Sequence, residues 1–313
     1  MRFLVVGAGA VGGYFGGRLL EAGRDVPFLV RPARAEQLAA TGLVITSPAG
    51  DVTVPSPPTV LAAGVRAPFD VVLLSCKAYD LDGAMDAVAP AVGPGTAVIP
   101  LLNGMQHLDA LDARFGPGRV LGGSCFISAK VNDAGRIAHV SDPHRLVFGE
   151  RAGGRSGRVD AIAAAMAGAK FEAVASDDVV QEMWEKWTFL AALAGVTCLT
   201  RAAVGDVVAA GGSDLVLALL DECRAVAAAA GHAPRPGPWE AAVRRLTHPR
   251  SVVTASMLGD VERRGRTEAD HVLGDLLRRR GAPAAGDRSL LRVAYTAVKA
   301  AEARAARESA PPA

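Results

Sequence analysis

The feature that most constrains this chain is a glycine motif near its start, GAGAVG, in which Gly7, Gly9 and Gly12 are spaced as G-x-G-x-x-G. The motif directly follows the apolar run FLVV and opens a helical pattern, which is the context in which such glycines carry meaning. Gly7 permits a tight turn, Gly9 lets the backbone approach a pyrophosphate, and Gly12 allows close packing of helix on strand. The pattern favours a dinucleotide-binding unit, and a glycine-rich packing turn is the alternative.

Short, continuous apolar runs alternate with helical patterns through the first half of the chain. Continuous rather than alternating runs are typical of strands that are covered on both faces of a parallel sheet. The order strand–helix–strand predicts an α/β Rossmann-type domain with a doubly wound, mostly parallel sheet. The predicted strands are FLVV (3–6), VPFLV (26–30), DVVLLS (70–75), AVIPLL (97–102) and RVLGGS (119–124), with a hairpin between LVIT and DVTV.

The pattern changes from about Asp177, where strand-like runs give way to alanine-rich helical patterns that continue to about residue 307. SDD (176–178) predicts the start of a long helix, and TEAD (267–270) predicts another start through a capping box. GHAPRPGP (231–238) and GAPAAGD (281–287) predict breaks between helices. The second half is therefore expected to be all-helical.

A chain of 313 residues is too long for one ordinary core and predicts two domains. We expect a nucleotide-binding domain over 1–175, an all-helical substrate and catalytic domain over 176–307, and a disordered tail over 308–313.

Composition indicates a soluble globular protein, because half of the residues are hydrophobic and 21% are charged. The net charge of +2 is too small to argue for a nucleic-acid partner. The run WTFLAALAGVTCL is shorter than the roughly 20 residues that a membrane helix needs. The glycine spacing explains the apolar N-terminus better than a signal peptide does, so a cytoplasmic protein without a membrane partner is expected.

The four cysteines are scattered and show no C-x-x-C spacing. This argues against a zinc site and a disulfide framework, so no metal is expected. Burial as small hydrophobes is the preferred interpretation, and a nucleophilic role for one of them stays open. They are Cys76, Cys125, Cys198 and Cys223.

The choice of dinucleotide depends on the residues after the second predicted strand. An NAD site typically has an acidic residue there, which binds the ribose 2′-hydroxyl. This chain has Arg31 and Arg34 instead, with no carboxylate between them. A guanidinium suits a 2′-phosphate, so Arg31 predicts NADP(H). The alternative is that each arginine is solvated at the start of a helix. For Arg34 this alternative is at least as well supported as binding of the 2′-phosphate.

Lys77 and Asn103 follow the third and fourth strands of the predicted parallel series. Open α/β sheets bind ligands at the carboxyl ends of their strands. A single loop lysine or asparagine is usually structural, but two at neighbouring strand ends beside a dinucleotide motif predict ligand contacts. The predicted cofactor-binding residues in this half are Gly7, Ala8, Gly9, Ala10, Val11, Gly12, Arg31, Lys77 and Asn103.

The stretch WEKWTF places Lys186 between Trp184 and Trp187, two of the three tryptophans in the chain. A lysine that lays its stem along an aromatic surface is the usual interpretation of such a pattern. The other interpretation is that Lys186 is held there to take part in catalysis. The six residues alone do not decide between the two interpretations.

Several segments together resemble the ketopantoate reductases (2-dehydropantoate 2-reductases). The resemblance covers residues 1 to about 300, and NGMQ and SMLGD…TEAD are its most specific parts. The segments, in order, are MRFLVVGAGAVGGYFGGRL, LLSCKAYD, LLNGMQH, WEKW and TASMLGDVERRGRTEAD.

The resemblance implies NADPH-dependent reduction of a 2-oxo acid to a 2-hydroxy acid on the route to pantothenate and coenzyme A. It implies that Lys186 is the general acid and that Ser256 holds the substrate. Glu268 would lie by the nicotinamide and the substrate, and Lys77 and Asn103 would line the cofactor and the active site. Catalytic residues are then Lys186 and Glu268, and substrate-binding residues Asn103, Lys186 and Ser256.

This chemistry has a physical basis. Hydride arriving at a carbonyl carbon leaves negative charge on the oxygen, which a positioned ammonium can stabilise and protonate. A carboxylate such as Glu268 would keep Lys186 protonated in a partly dry cleft. Without the family match, Glu268 is read as complementing a helix N-terminus, and Ser256 as an ordinary helix serine.

One departure concerns the substrate. Many members of the family carry asparagines four and eight residues after the catalytic lysine, where this chain has Leu190 and Ala194. The wall of the active-site cleft is therefore apolar one and two helical turns beyond Lys186. Either a pantoyl-type substrate is held otherwise, or the substrate is a more apolar 2-oxo acid.

Ketopantoate reduction with NADP(H) is thus the leading prediction, with a small-molecule 2-oxo acid as partner. A paralogous reductase of another, more apolar 2-oxo acid or ketone is the nearest rival. A non-catalytic NADP(H)-binding sensor is the rival from another class, although such a binder would need neither Lys186 nor Glu268. The sequence does not decide the oligomeric state, and a homodimer is carried as an expectation.

Overall fold

The computed structural model describes residues 1–281 and 288–309. These residues form two compact units. The first comprises Met1–Leu102 and His107–Val180, and the second comprises Asn103–Gln106 together with the described residues from Gln181 onward. Most of the predicted break at 281–287 and residues 310–313 of the predicted tail lie outside the described residues.

Among the described residues, all strands belong to the first unit. Their bounds are β1 Phe3–Val6, β2 Phe28–Leu29, β3 Leu43–Thr46, β4 Val52–Val54, β5 Thr59–Val60, β6 Val71–Leu74, β7 Ala97–Pro100, β8 Gly122–Phe126, β9 Ala129–Val131, β10 Ile137–His139, β11 Arg145–Gly149 and β12 Glu172–Ala175.

The helices continue into the second unit. Their bounds are α1 Ala10–Glu21, α2 Pro32–Thr41, α3 Leu81–Val88, α4 Gln106–Phe115, α5 Gly157–Met166, α6 Val179–Thr200, α7 Val204–Ala209, α8 Ser213–Ala229, α9 Pro236–Leu246, α10 Ser256–Glu262, α11 Asp275–Arg280 and α12 Leu290–Ser309. A π-helical turn, Asp270–Gly274, precedes α11.

A five-stranded parallel sheet in the order β5-β2-β1-β6-β7 carries the glycine motif. β1, β6 and β7 are buried along their whole length, because α1 and other helices cover the sheet. α1 packs against Phe28 of β2 on one side and against Ile45 of β3 on the other. The predicted parallel α/β sheet followed by a helical domain is confirmed, as is the hairpin formed by β3 and β4.

The prediction that RVLGGS continues the parallel series is wrong for most of that segment. Val120 makes one parallel bridge to Val98 of β7, and then β8 pairs antiparallel with β11 in a separate sheet. The next bond of the parallel ladder would need a donor at Pro100, which has no N–H. Sequence reasoning also missed β9 to β12, of which β9, β10 and β12 are short and not fully buried, whereas β11 is mostly buried.

Two stacked histidines form a buried network against α1. Tyr14 Oη lies 2.6 Å from His144 Nδ1, and Ser47 Oγ lies 2.8 Å from His139 Nδ1. The two imidazole centroids are 5.4 Å apart, and the guanidinium of the fully buried Arg18 lies over the Tyr14 ring. Burial first, and then the neighbouring His144, lower the pKa of His139; burial and Arg18 lower the pKa of His144.

We expect the free energy of unfolding to fall as the pH drops below about 6.5. The folded state keeps His139 and His144 neutral, whereas the unfolded chain protonates them first, so acid favours unfolding. Urea titrations at about pH 7.5 and about pH 5.5 would measure this difference before most carboxylates titrate. The double variant His139→Gln/His144→Gln should reduce the pH dependence, and the exposed His248→Gln should not. Equal stability of the unmodified chain at both pH values would contradict this interpretation.

Candidate active site

The loop between β1 and α1 has the geometry that the glycine motif predicts. Gly7 has φ +92°, a left-handed conformation that favours glycine, and Gly9 is the N-cap of α1. A Cβ at Gly12 would overlap Ser75 Oγ and the Gly7 carbonyl, so only glycine allows α1 to lie this close to the strands. Ser75 Oγ in turn donates to Val6 O at 2.8 Å and to Gly7 O at 3.2 Å.

This loop fits the pyrophosphate of a dinucleotide. Apart from its neighbours along the chain, no described residue has a heavy atom within 4 Å of the position that a Cβ on Gly9 would take, so the backbone is open to a ligand there. The first turn of α1 contains no acidic residue that would repel an anion from the helix N-terminus. The backbone N–H groups at the start of α1 are therefore suited to the phosphates of a dinucleotide.

Arg31 lies where the sequence predicts it, at the N-cap of α2 directly after β2. Its side chain is 77% exposed, and its Nη2 lies 2.9 Å from Asp80 Oδ1. The hydrogen bond that Arg31 donates to Asp80 raises the pKa of Arg31. Sequence reasoning missed this carboxylate because it comes from the loop after β6; its presence within the KAYD segment was the available signal.

Lys77 and Asn103 follow β6 and β7, which are neighbours in the parallel sheet. Lys77 precedes a short 3-10 turn, Ala78–Asp80. Asn103 belongs with the second unit. In that unit a Cβ on Gly104 would lie 2.8 Å from the carbonyl oxygen of His271, so the Asn103 loop packs against the turn that follows Glu268.

Lys186 lies half-buried on α6, the long helix that SDD predicts. The Asp178 N–H donates to Ser176 Oγ at 3.0 Å, just before the helix begins. Trp184 and Trp187 are almost fully buried, with ring centroids 4.9 Å apart. These rings are core residues of the second unit and not an exposed aromatic surface for a lysine stem.

The cation over the two indole rings is Arg279, whose Cζ lies 5.6 Å from each ring centroid. Its Nε also lies 3.1 Å from Asp275 Oδ2. Sequence reasoning missed Arg279 because α11 is distant from WEKW in the chain. An arginine from another helix thus lies over the two tryptophans that flank Lys186 in the sequence.

A hydrogen bond from Trp187 connects α6 to the segment that carries Glu268. Trp187 Nε1 donates to the Val272 carbonyl at 2.9 Å, and the Val272 N–H donates to the Glu268 carbonyl at 2.9 Å. Glu268 is 9% exposed. The residue next to Lys186 therefore fixes the turn that positions Glu268.

The predicted capping box at TEAD does not form. The N–H and Oγ1 of Thr267 both donate to Glu302 Oε1 of α12, at 2.9 and 2.6 Å. Asp270, the expected reciprocal partner, instead accepts from Tyr295 at 2.6 Å and from Lys299 at 2.8 Å. A helical segment does begin here, and Thr267 Oγ1 still accepts a local bond from the Ala269 N–H at 3.2 Å. Asp270 is bound by α12 instead of completing the box, and the first turn is π-helical.

Ser256 is the exposed first residue of α10. The preceding Ala255 N–H donates to Thr197 Oγ1 at 3.3 Å. Thr197 lies about three helical turns beyond Lys186, on the same face of α6. On this helix the predicted apolar wall consists of the half-buried Leu190 and the buried Ala194.

The predicted site residues thus fall into two groups, one in each unit. α6 is connected to the Glu268 segment through Trp187 and to the Ser256 segment through Thr197. The second unit holds Asn103, Lys186, Ser256 and Glu268, and the first holds Gly7, Ala8, Gly9, Ala10, Val11, Gly12, Arg31 and Lys77.

Two of the four cysteines, Cys198 and Cys223, do not have the surroundings of nucleophiles. All four are free thiols, and three are buried. Burial raises the pKa of Cys198 to about 12 and also raises that of Cys223, so both stay protonated at neutral pH. Within residues 1–281 and 288–309, no cluster of three or more His, Cys, Asp or Glu is placed to hold a metal. No helix in the same ranges is long and apolar enough to cross a membrane.

Two family models match the chain. Residues 3–153 match the model described as "Ketopantoate reductase PanE/ApbA", and residues 178–302 match its C-terminal counterpart. Together the two matches cover both units.

Individual relatives agree with these models. The chain is 42% identical to the uncharacterized oxidoreductase YkpB of Bacillus subtilis, over 88% of this chain and 91% of the relative. It is 31% identical to a 2-dehydropantoate 2-reductase of Mesorhizobium japonicum, over 67% and 70% of the two chains. The crystal structure of the Geobacter metallireducens 2-dehydropantoate 2-reductase superposes with a TM-score of 0.86 at 27% identity, covering 96% of this chain and 100% of that one.

Proposed function

The chain belongs to the ketopantoate reductase family, whose members are oxidoreductases acting on CH–OH groups with a nicotinamide cofactor, and from that premise we propose NADPH-dependent reduction of a 2-oxo acid. The proposed substrate is 2-dehydropantoate, which would be reduced to pantoate for pantothenate and coenzyme A synthesis. Relatives that bear the name 2-dehydropantoate 2-reductase support this choice.

The observation that carries the proposal is the Trp187–Val272 hydrogen bond. It connects α6, which carries Lys186, to the segment that carries the buried Glu268, and this connection supports a pairing of the ammonium with the carboxylate. A protein that only binds a dinucleotide has no use for such an acid–base pair. A carbonyl reductase needs one, because its product oxygen must receive a proton.

The nicotinamide, when bound, supplies the hydride. Lys186 then stabilises the negative charge that develops on the carbonyl oxygen and donates the proton to it. Glu268 provides the counter-charge to the ammonium. Ser256 and Asn103 hold the polar groups of the substrate, and Lys77 lies along the cofactor.

Arg31 supports NADPH over NADH, and its replacement tests that preference. Arg31→Ala should weaken NADPH binding much more than NADH binding, by about 1.5–3 kcal/mol for a lost charged hydrogen bond. Calorimetric titration with each cofactor would measure this difference, with Arg66→Ala as a control that removes an exposed arginine elsewhere in the first unit. Equal affinities of the unmodified chain for the two cofactors would refute the preference.

A panel of 2-oxo acids tests the substrate. With NADPH in excess, ketopantoate should give a higher kcat/KM than pyruvate and simple branched analogues. Ketopantoate turning over no faster than those analogues would refute it as the substrate while leaving the reaction type intact.

The apolar residues of α6 support a second candidate substrate class. Leu190 and Ala194 offer no hydrogen bonds one and two turns beyond Lys186. Such a wall favours a 2-oxo acid with an apolar side chain over one with a hydroxyl group, because a buried hydroxyl without a partner is costly. In the same panel, this candidate predicts that bulky aliphatic or aromatic 2-oxo acids exceed ketopantoate.

A further inference from the structure

The start of α2 carries two arginines that local electrostatics do not explain. Arg31 is the N-cap and Arg34 lies in the first turn, which contains no acidic residue. Cations at a helix N-terminus oppose the helix dipole. Contacts outside the helix must therefore stabilise them, and for Arg31 that contact is Asp80.

Arg34 makes different contacts, all of them to neutral acceptors. Its Nε donates to the Ala8 carbonyl at 3.0 Å, and Nη1 and Nη2 donate to the Gly135 carbonyl at 3.2 and 3.3 Å. Nη1 also donates to Gln37 Oε1. The side chain is half-buried, and burial lowers its pKa. These contacts contradict the interpretation of Arg34 as a solvated arginine.

The bond to Ala8 acts on the dinucleotide loop itself. Ala8 lies between Gly7 and Gly9, and its carbonyl shares one planar trans peptide unit with the Gly9 N–H. In a trans unit the carbonyl and the N–H point in opposite directions. A guanidinium that holds the carbonyl therefore sets the direction of the Gly9 N–H, at the point where the backbone is open to a phosphate.

The other side of the guanidinium is held by the turn between β9 and β10. Gly135 has φ +75°, and a Cβ there would lie 2.8 Å from Arg34 Nη1. The turn is closed by bonds from the Gly135 N–H to Asn132 O and from the Arg136 N–H to Asn132 Oδ1. Arg34 thus clamps the glycine loop to a second, independently closed turn.

We infer that Arg34 is a positioning residue for the pyrophosphate-binding loop, acting equally on NADPH and NADH, and is not a ligand of the 2′-phosphate. This role rests on the proposed binding of a nicotinamide dinucleotide at Gly7–Gly12. It separates the two arginines of α2: Arg31 discriminates between the cofactors, and Arg34 orients the loop that both cofactors share.

Binding measurements on Arg34→Gln and Arg34→Lys test the inference, with Arg66→Gln as the matched control. Both Arg34 variants should raise the Kd of NADPH and of NADH by the same factor, about tenfold for a lost charged hydrogen bond. Lysine should not restore binding, because its donors share one nitrogen and cannot reproduce the separate Nε and Nη positions that bond the Ala8 and Gly135 carbonyls. In the cofactor-free chain, amide hydrogen exchange of residues 7–12 should become faster in both variants and stay unchanged in the control.

A rise in Kd for NADPH alone would overturn the inference and make Arg34 a phosphate ligand. A lower melting temperature with both Kd values and loop exchange unchanged would equally overturn it. If Arg34→Gln does not fold, Arg34→Lys carries the same comparison. An unmodified chain that binds neither dinucleotide would instead refute the proposed cofactor site itself, which is a different result.

Discussion

Replacing Lys186 by alanine is expected to lower kcat by about 10²–10⁴-fold, the range that general-acid catalysis supplies. Without the ammonium, the charge on the reduced oxygen has neither a stabilising partner nor a proton donor. The Kd of NADPH should change little, because the glycine loop and Arg31 lie in the first unit. Single-turnover kinetics and equilibrium titration of the same preparation measure the two quantities.

Lys130→Ala provides the matched control, since it removes an exposed lysine from the other unit. It should leave both kcat and NADPH binding unchanged. A Lys186→Ala variant that loses mainly NADPH binding and retains its kcat would show that the lysine is a cofactor ligand. If the unmodified chain binds NADPH but reduces no carbonyl compound, the sensor interpretation prevails.

Removing the Trp187 side chain is expected to have the largest effect on stability. The indole is 1% exposed and packs against Trp184, so Trp187→Ala should cost about 3–5 kcal/mol of unfolding free energy. Trp187→Phe keeps most of the packing and removes the hydrogen bond to Val272, which should cost about 1 kcal/mol. Urea unfolding of both variants measures these losses.

The phenylalanine variant also tests the positioning of Glu268. Because the Val272 turn bears Glu268, Trp187→Phe should lower kcat while the variant remains folded at assay temperature. Trp239→Phe is the control, since this half-buried tryptophan lies on α9 and contacts Arg224 instead. A Trp187→Phe enzyme with unchanged kcat would show that the hydrogen bond does not position the acid–base pair.

Local patterns were sufficient to predict the first strand, the glycine turn and the helix that follows. A run of apolar residues, three glycines and a helical pattern lie within the first 21 residues, so chain-local physics determines that segment. The start of α6 was equally predictable because its determinants at 176–178 directly precede the helix. The α/β order followed by helices was also evident from the sequence.

Features that depend on distant partners were not predictable. The acidic partner of Arg31 comes from the loop after β6, and the cation over Trp184 comes from α11. Thr267 had the local signature of a capping box, but Glu302 of α12 accepts its bonds instead. In each case a side chain far along the sequence provides a stronger interaction than the local pattern, and one sequence does not reveal such pairings.

Steady-state reduction of ketopantoate by NADPH is the most direct test of whether this chain is an NADPH-dependent 2-oxo acid reductase. The assay follows loss of the reduced nicotinamide, with pyruvate and branched 2-oxo acids as comparators and Lys186→Ala as the inactive reference. We expect the unmodified chain to oxidise NADPH only when a 2-oxo acid is present, with the highest kcat/KM for ketopantoate. The absence of NADPH oxidation with every 2-oxo acid in the panel, despite tight NADPH binding, would contradict it.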